Sequence, residues 1–158
     1  MTTGRTSRQL NGGRTLSGNW YYGNAADDGQ DTRGWVLGAF IDPSKGVRSS
    51  KDVEVKWGIH PLGDKRAAWT ADDQRTTMVL LIEGTFRVDL TTGSIIMERQ
   101  GDYIVWGPGI DHSWEALAPS TVITVRWPSV LSCPDTAGSP GFRGREDTAQ
   151  HAPGMPGV

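Results

Sequence analysis

The sequence predicts an all-β protein, either a β-sandwich or a closed β-barrel. Segments with strand character follow one another with short breaks that contain glycine, aspartate or proline, and no long helical periodicity intervenes. The segment DVEVKWGIH (52–60) alternates cleanly between apolar and polar residues. The segment TTMVLLIEG (76–84) contains an almost continuous apolar run, as expected of a strand that is covered on both faces.

The remaining predicted strands fill the central part of the chain. They are GWVLGAFI (34–41), TFRVDL (85–90), SIIMER (94–99), DYIVW (102–106) and TVITVRW (121–127). We therefore expect one β-barrel domain over residues 33–129. An N-terminal arm (1–32) that packs on the barrel or on a second copy precedes it, and a flexible C-terminal tail (130–158), polar and interrupted by prolines, follows it.

Length and composition exclude several classes of protein. A chain of 158 residues suits one domain, and a net charge of −2 without a basic tract argues against a nucleic-acid partner. No apolar run approaches the length of a membrane span, and residues 1–19 lack the apolar core of a signal peptide. The single cysteine, Cys133, allows no intrachain disulfide. We expect a cytoplasmic protein that binds neither nucleic acid nor membrane.

The stretch from LLIEG to IDHSW resembles the cupin superfamily, whose members are small jelly-roll β-barrels, and the resemblance covers roughly residues 53–128. Gly101 opens the second cupin motif, Gly109 is its later glycine, and His112 falls at its histidine; Ala116 replaces the usual asparagine. Together, VEVKWGIHP and WGPGIDHSW are similar to small actinobacterial cupins. The resemblance implies a jelly roll that commonly forms a homodimer.

The first cupin motif is largely lost. With Gly63 as its opening glycine, Trp69 and Ala71 fall at its two histidines and Thr77 at its glutamate. In metal-binding cupins these three positions and the second-motif histidine ligate the metal, so only His112 remains. The resemblance supports the fold and argues against the usual metal chemistry. We expect no metal and no cofactor.

Two histidines are the candidate proton carriers, because an unperturbed imidazole has a pKa of ~6.5. His112 would move the proton, with Asp111 or Glu54 orienting it, and His60 or Lys56 would stabilise developing negative charge. The alternative for His112 is structural: the imidazole holds the GPG turn by bonding its backbone.

The orientation of the alternating segment 52–60 stays open. Its apolar residues could fill the barrel and leave Glu54, Lys56 and His60 in solvent, or the polar set could face the interior. His60, which leads into the loop PLG at the barrel rim, is the member of the polar set that we expect to face a cavity.

Aromatic residues and one arginine complete the predicted binding site. Aromatic walls with a few polar groups are typical of small-molecule pockets, although the same rings could fill the core or a dimer interface. Arg126 shares a face with Val122 and Thr124 and would pair with a carboxylate of the protein or of a substrate. The tryptophans in or beside the expected barrel mouth are Trp57, Trp69, Trp106 and Trp114, and the aromatic trio expected at a dimer surface is Trp20, Tyr21 and Tyr22.

Three functions fit these observations. The first is a cofactor-independent enzyme that isomerises, epimerises, dehydrates or cyclises a small organic substrate, for example in specialised metabolism. The second is a metal-dependent cupin oxygenase with His60, His112 and a carboxylate as ligands. The third is a non-catalytic ligand-binding or regulatory domain.

Overall fold

The computed structural model describes residues 19–131, and within that range eight strands form two antiparallel sheets. Before the first strand lie a one-turn helix, α1 (Ala25–Asp28), and a short 3-10 helix (Gln30–Thr32), and a second 3-10 helix (Pro43–Arg48) follows it. The strands are β1 (Trp35–Leu37), β2 (Glu54–His60), β3 (Thr76–Glu83), β4 (Phe86–Leu90), β5 (Gly93–Met97), β6 (Tyr103–Trp106), β7 (His112–Ala116) and β8 (Ser120–Trp127).

The two sheets form the layers of a jelly roll. The larger sheet has the strand order β1-β2-β8-β3-β6 and the smaller one β5-β4-β7, and every adjacent pair is antiparallel. Strands β2 and β3 both pair with β8, so a late strand lies at the centre of the larger sheet. This architecture confirms the predicted all-β jelly roll.

The hydrophobic core lies between the two sheets and draws on both. Burying a side chain as large as valine, leucine or phenylalanine contributes about 1.5–3 kcal/mol to the free energy of folding, so contacts between core side chains hold the two sheets together. The core residues are Val79, Leu81, Phe86, Val88, Met97, Trp106, Ala116 and Val122.

Most predicted strands are present with shifts of one or two residues at their ends. The first is the exception: the chain turns after Leu37, where the Ile41 amide donates to the Gly38 carbonyl oxygen, so only three of the expected residues are extended. Strand β7 was not predicted. Its sequence, HSWEA, contains histidine and glutamate, which are not typical strand formers.

The described part of the predicted arm, residues 19–32, lies against the body of the domain. The Tyr21 hydroxyl donates to Asp28 over 2.7 Å, and the Arg48 guanidinium lies 4.9 Å from the centre of the Tyr21 ring. Trp20 and Tyr22 remain exposed. The rest of the arm and nearly all of the predicted tail, with Cys133, lie outside the described residues, so the domain boundaries stay predictions. None of the helices within residues 19–131 is long and apolar enough to cross a membrane.

Candidate functional site

Strand β2 turns its polar residues toward the space between the sheets. Its pairing with β8 sets Glu54 opposite Arg126 and Lys56 opposite Thr124. The alternate residues point outward, and Ile59 is 65% exposed. Of the two orientations that the alternation allowed, the structure has the one with polar residues inside.

A cavity of about 60 Å³ lies between the sheets. That volume accommodates roughly four to six water molecules, at about 10–15 Å³ each, or a group of a few heavy atoms. Aromatic rings and aliphatic side chains form most of its wall. The polar side chains that line it are Lys56, His60, Arg66, Thr77, His112, Thr124 and Arg126.

Residues 63–70 close one side of this cavity by running along β7. The Gly63 amide donates to the Ala116 carbonyl oxygen over 2.8 Å, and the Arg66 amide donates to that of Trp114 over 3.1 Å. The segment thereby extends the smaller sheet beyond β7. As a result the Arg66 side chain reaches the cavity, and Asp64 comes within hydrogen-bond distance of His60.

His60 is held by a carboxylate and by two aromatic rings. Its Nδ1 lies 2.8 Å from Asp64 Oδ2, and because a carboxylate only accepts, the proton is on Nδ1 and Nε2 is left as an acceptor. The imidazole contacts Trp114 and Phe86, with ring centroids 4.5 Å and 5.3 Å away. A Cβ at Gly58 would lie 2.6 Å from Nε2, so the glycine makes room for the ring.

Burial lowers the pKa of His60 below its usual 6.5, and the raising effects of the Asp64 hydrogen bond and charge do not offset it. His60 is therefore neutral at neutral pH, with an acceptor nitrogen and an orienting carboxylate. A neutral imidazole held in this way has the arrangement of a general base.

His112 is fixed by the backbone. Its Nδ1 lies 3.2 Å from the Ile110 carbonyl oxygen, so Nδ1 again carries the proton. Burial lowers its pKa; the Ile110 hydrogen bond opposes that shift, and the Arg126 and Arg66 charges add to it. The turn before it needs Gly109, whose φ is 76°. His112 therefore bonds the backbone of its turn, as the structural alternative predicted, and also lines the cavity.

Arg126 and Thr77 carry buried polar atoms at the cavity. The Arg126 side chain lies on one face with Val122 and Thr124, as predicted, and its guanidinium lies 4.7 Å from the centre of the Trp35 ring. Within residues 19–131, Arg126 Nε and Nη1 and Thr77 Oγ1 are buried and make no hydrogen bond.

Glu54 does not line the cavity and does not orient His112. Its side chain is fully buried, and Oε2 accepts from Arg75 over 3.0 Å. Oε1 accepts from the Ser129 hydroxyl over 3.1 Å and from the Val130 amide over 2.9 Å. Arg75 also binds Asp73 through Nε and Nη2. Glu54 therefore holds strand β2 to the end of β8 and to the loop before β3.

Three further predictions of placement do not hold. Asp111 accepts from the Asp72 amide over 3.3 Å, and the His112 nitrogen that it was expected to orient is bonded to Ile110 instead. Trp57 alternates with the inward-facing Lys56, so it lies on the outer face of β2. Trp69 is 51% exposed in segment 63–70. Of the four predicted tryptophans, Trp106 and Trp114 line the cavity.

The donor set does not fit the metal of metal-binding cupins. Over residues 19–131, no group of three or more His, Cys, Asp or Glu side chains is placed to hold a metal ion. At the three positions where the resemblance predicts ligands, Trp69 and Ala71 are exposed and Thr77 offers only a hydroxyl. The cavity adds three cationic side chains to its two imidazoles, and their charge disfavours a metal ion.

Sequence reasoning did not identify Asp64 and Arg66 as site residues, and it treated Thr77 only as a lost ligand. The stretch HPLGD holds a usable indication for Asp64, since a tight turn at Pro61 and Gly63 returns the chain toward His60. Nothing in the local sequence indicates that Arg66 reaches the cavity.

Comparisons with known proteins give fold-level similarity. No family model and no curated protein matches the chain. Similar solved structures include KdgF from Halomonas sp. (21% identity over 51% of this chain and 73% of that one, TM-score 0.47). An RmlC-like cupin from Shewanella frigidimarina matches at 16% identity (50% and 68% covered, TM-score 0.46), and the Schizosaccharomyces pombe Cnp3 cupin domain at 10% (51% and 55%, TM-score 0.45). With its two antiparallel sheets, this chain has an all-β jelly-roll fold.

Proposed function

We propose that the chain is a metal-independent enzyme that moves a proton on a small organic molecule. The observation that carries this proposal is the His60–Asp64 pair at the cavity: an imidazole with its proton fixed on Nδ1 and an acceptor Nε2. The carboxylate orients the ring and would stabilise the imidazolium that forms when Nε2 takes a proton.

The cavity cations supply the second requirement of such a reaction. When His60 Nε2 removes a proton from carbon, the electron pair moves onto a neighbouring oxygen of the substrate. Lys56, Arg66 and Arg126 line the same cavity and would stabilise that charge. Return of the proton to a different atom gives isomerisation, and departure of a hydroxyl group gives dehydration.

His112 gives a second proton carrier at the cavity. Epimerisation needs groups on two faces of the reacting carbon, and the two histidines come from different sheets, His60 from the end of β2 and His112 from the start of β7. A non-catalytic ligand-binding domain would use the same cavity without proton transfer, and the experiment below separates the two functions.

Exchange of carbon-bound hydrogen in D₂O tests the proposal without a known product. Small organic acids and their neutral esters are incubated with the protein, and loss of C–H signal is followed by proton NMR. For any compound that exchanges, we expect His60→Gln to slow exchange at least ~100-fold, the lower end of what general acid–base catalysis contributes. We expect Asp64→Asn to slow it less, since an amide oxygen still accepts from Nδ1.

The pH profile adds a readout that a structural role would not produce. Since the pKa of His60 is lowered, the exchange rate should rise with pH through a value below 6.5 and then stay level around neutrality. Full activity in folded His60→Gln would contradict the role of His60. Ligand binding without exchange in the unaltered protein would favour the binding function.

We also propose that two copies of the chain associate through the outer face of the larger sheet. Two in-register rows of apolar side chains form this outer patch, and the outermost of them are exposed. The residues outside 19–131 are largely polar and therefore match an apolar surface poorly. We expect the outer patch to be buried against the same patch of a second copy. The rows are Val105–Met78–Val125 and Tyr103–Leu80–Ile123. A reducing cytoplasm remains the proposed compartment.

A further inference from the structure

We propose that the ligand of the cavity carries a hydroxyl group, which accepts a hydrogen bond from Thr77 and donates one to His112. The class of ligand is a small hydroxy ketone or hydroxy aldehyde. This inference rests on the proposed function only for the carbonyl group, which makes the neighbouring carbon acidic. The hydroxyl group is argued from the polar atoms at one end of the cavity.

Thr77 offers a buried hydrogen-bond donor to the cavity. The residue is 2% exposed and lines the cavity, and within residues 19–131 its Oγ1 makes no hydrogen bond. A buried hydroxyl without a partner costs stability, so folded proteins pair such groups with protein, water or ligand. A ligand oxygen in the cavity would accept from Oγ1 and remove that cost.

His112 offers an acceptor at the same end of the cavity. Its Nδ1 donates to the Ile110 carbonyl oxygen, so Nε2 carries a lone pair. Among the described residues, no group donates to that nitrogen. The imidazole packs against Trp106, with the ring centroids 4.7 Å apart, and Trp106 pairs with Thr77 across β6 and β3. The donor and the acceptor therefore border the same part of the cavity.

A hydroxyl group is the smallest ligand group that satisfies both residues, because one oxygen both accepts and donates. A ketone or ether oxygen would accept from Thr77 and leave His112 Nε2 without a donor. An ammonium group would donate to both residues and leave the Thr77 proton without an acceptor. An amide would need two atoms for the same two bonds, in a cavity with room for only a few heavy atoms.

His60 lies toward the other end of the cavity, which gives the ligand a direction. A Cβ at Gly58 would lie 2.6 Å from His60 Nε2, so the imidazole lies over Gly58. Gly58 pairs with Val122 of β8, whereas Thr77 pairs with Arg126 of the same strand. At about 3.3 Å per residue, these positions are roughly 13 Å apart along β8. A hydroxyl held beside Thr77 therefore leaves another carbon of the molecule to face His60. Because the second histidine then faces an oxygen, this placement disfavours epimerisation as the reaction.

Matched pairs of neutral probes test this proposal. Hydroxyacetone, acetoin and dihydroxyacetone are compared with methyl ethyl ketone, methyl isopropyl ketone and diethyl ketone, in which a methyl group replaces each hydroxyl. Propionamide is the amide probe. Dissociation constants come from NMR titrations that follow the tryptophan indole N–H signals of the ¹⁵N-labelled protein. We expect each hydroxy ketone to bind at least ~10-fold more tightly than its methyl counterpart, since each of the two hydrogen bonds changes affinity about 2- to 10-fold.

Thr77→Val is the decisive variant, and Thr70→Val is its matched control. Each replaces a threonine whose buried hydroxyl makes no hydrogen bond within the described residues, but Thr70 does not line the cavity. Without ligand, the melting temperature of both variants should therefore stay the same or rise. Thr77→Val should reduce the preference for hydroxy ketones several-fold, and Thr70→Val should leave it unchanged. Thr77→Ser keeps the hydroxyl and should retain the preference.

Equal affinity for hydroxy ketones and their methyl counterparts would overturn the proposal, and would mean that Thr77 and His112 hold a water molecule only. Tighter binding of propionamide, no binding of any hydroxy ketone, an unchanged preference in folded Thr77→Val, or an equal loss in Thr70→Val would also overturn it.

Failure of the proposed function looks different. Hydroxyl-selective binding without exchange of carbon-bound hydrogen in D₂O would leave this inference standing and remove the enzyme. Exchange that is equally fast in the methyl counterparts would support the enzyme and overturn this inference.

Discussion

The two faces of the larger sheet differ less in polarity than those of most sheets that cover a core. The inner face of β2, β8 and β3 carries Glu54, Lys56, Arg126 and Thr77, while the outer face carries the apolar rows of the outer patch. Usually one face of an antiparallel sheet is apolar and packs on the core, and the other is polar and meets water. Here the inner face carries these polar residues beside the core residues Val79, Leu81 and Val122, and apolar residues of the outer face such as Tyr103 and Val105 are exposed.

The comparison shows that polar residues around a cavity and core residues can share the inner face of one sheet. On the inner face, each buried charge has a structural partner or lines the cavity. On the outer face, the N-terminal segment packs near the β2 edge, beside Val55 and Trp57. The rest of the outer face, along β8, β3 and β6, is the surface that we propose a second copy of the chain buries.

The largest effect on stability should come from replacing Glu54, whose side chain is buried on the inner face. Glu54→Leu would leave a buried Arg75 nitrogen, the Ser129 hydroxyl and the Val130 amide without their acceptor. Removing one partner of a buried ion pair costs about 3–5 kcal/mol, and we expect a loss near the lower figure because Asp73 still binds Arg75. Chemical denaturation measures this change in the free energy of unfolding.

Glu83→Gln is the matched control, since Glu83 is an exposed glutamate at the end of β3. Its effect should stay within about 0.5 kcal/mol, as for most surface substitutions. A loss as small in Glu54→Leu would show that the network around Arg75 does not hold the inner face together.

An intermediate effect should follow a charge placed on the outer patch. Leu80→Lys should convert a dimer into a folded monomer, because two lysines would face each other across a two-fold interface. Light scattering coupled to size-exclusion chromatography measures the mass. Ile96→Lys places the same change on the outer face of the smaller sheet, where Ile96 is already exposed, and should leave the dimer intact.

A monomeric unaltered protein would refute the proposed dimer. If it is monomeric and Leu80→Lys aggregates or unfolds, the patch is covered by residues of its own chain. A dimer that survives Leu80→Lys would instead place the interface elsewhere, with the exposed Trp20 and Tyr22 as the next candidates.

The smallest effect concerns how the free energy of unfolding changes with pH through the two buried histidines of the inner faces. Burial lowers the pKa of both His60 and His112, so between 6.5 and their folded-state values the unfolded chain binds more protons than the folded one. The free energy of unfolding should therefore fall as the pH drops below 6.5. Arg75 keeps the pKa of Asp73 below 3.8 against the raising effect of burial, so loss of that ion pair belongs to a more acidic range.

His112→Gln should flatten this dependence below pH 6.5 without abolishing it, because His60 still contributes. Thermal melting across that range provides the measurement. An unchanged slope in the variant would mean that His112 is not held neutral in the folded protein.

Much of the fold followed from the sequence because period-two alternation and turn residues are local properties. Strands β2, β3, β4, β6 and β8 lie where the patterns predicted them, and β5 lies close to its predicted span. Strand β7 was not predicted because the composition of HSWEA is not typical of a strand. The strand is stabilised by pairing with β4 and with residues 63–70. Such long-range pairing is not encoded within five residues.

The candidate site was predictable in part. His60, His112, Lys56, Arg126, Trp106 and Trp114 do line one cavity. The residues placed wrongly have partners other than the expected ones, some distant in sequence and some adjacent. Glu54 is bonded to Arg75 and Val130, and the nitrogen of His112 expected to face Asp111 is bonded to Ile110. Asp64, four residues after His60, contacts it, whereas Asp111, next to His112, does not, so proximity in sequence alone does not decide which carboxylate contacts a histidine.

Gly58 makes room for the His60 imidazole on the inner face of the larger sheet. A Cβ there would lie 2.6 Å from His60 Nε2 and 3.2 Å from Val122 Cγ2, so any side chain would compete with the imidazole for the same space. One methyl group could therefore move the base while leaving every charged side chain in place. A substitution at residue 58 would therefore change the shape of the cavity without changing its charge. We expect the shape of the accepted molecule to diverge first at this position in related jelly rolls.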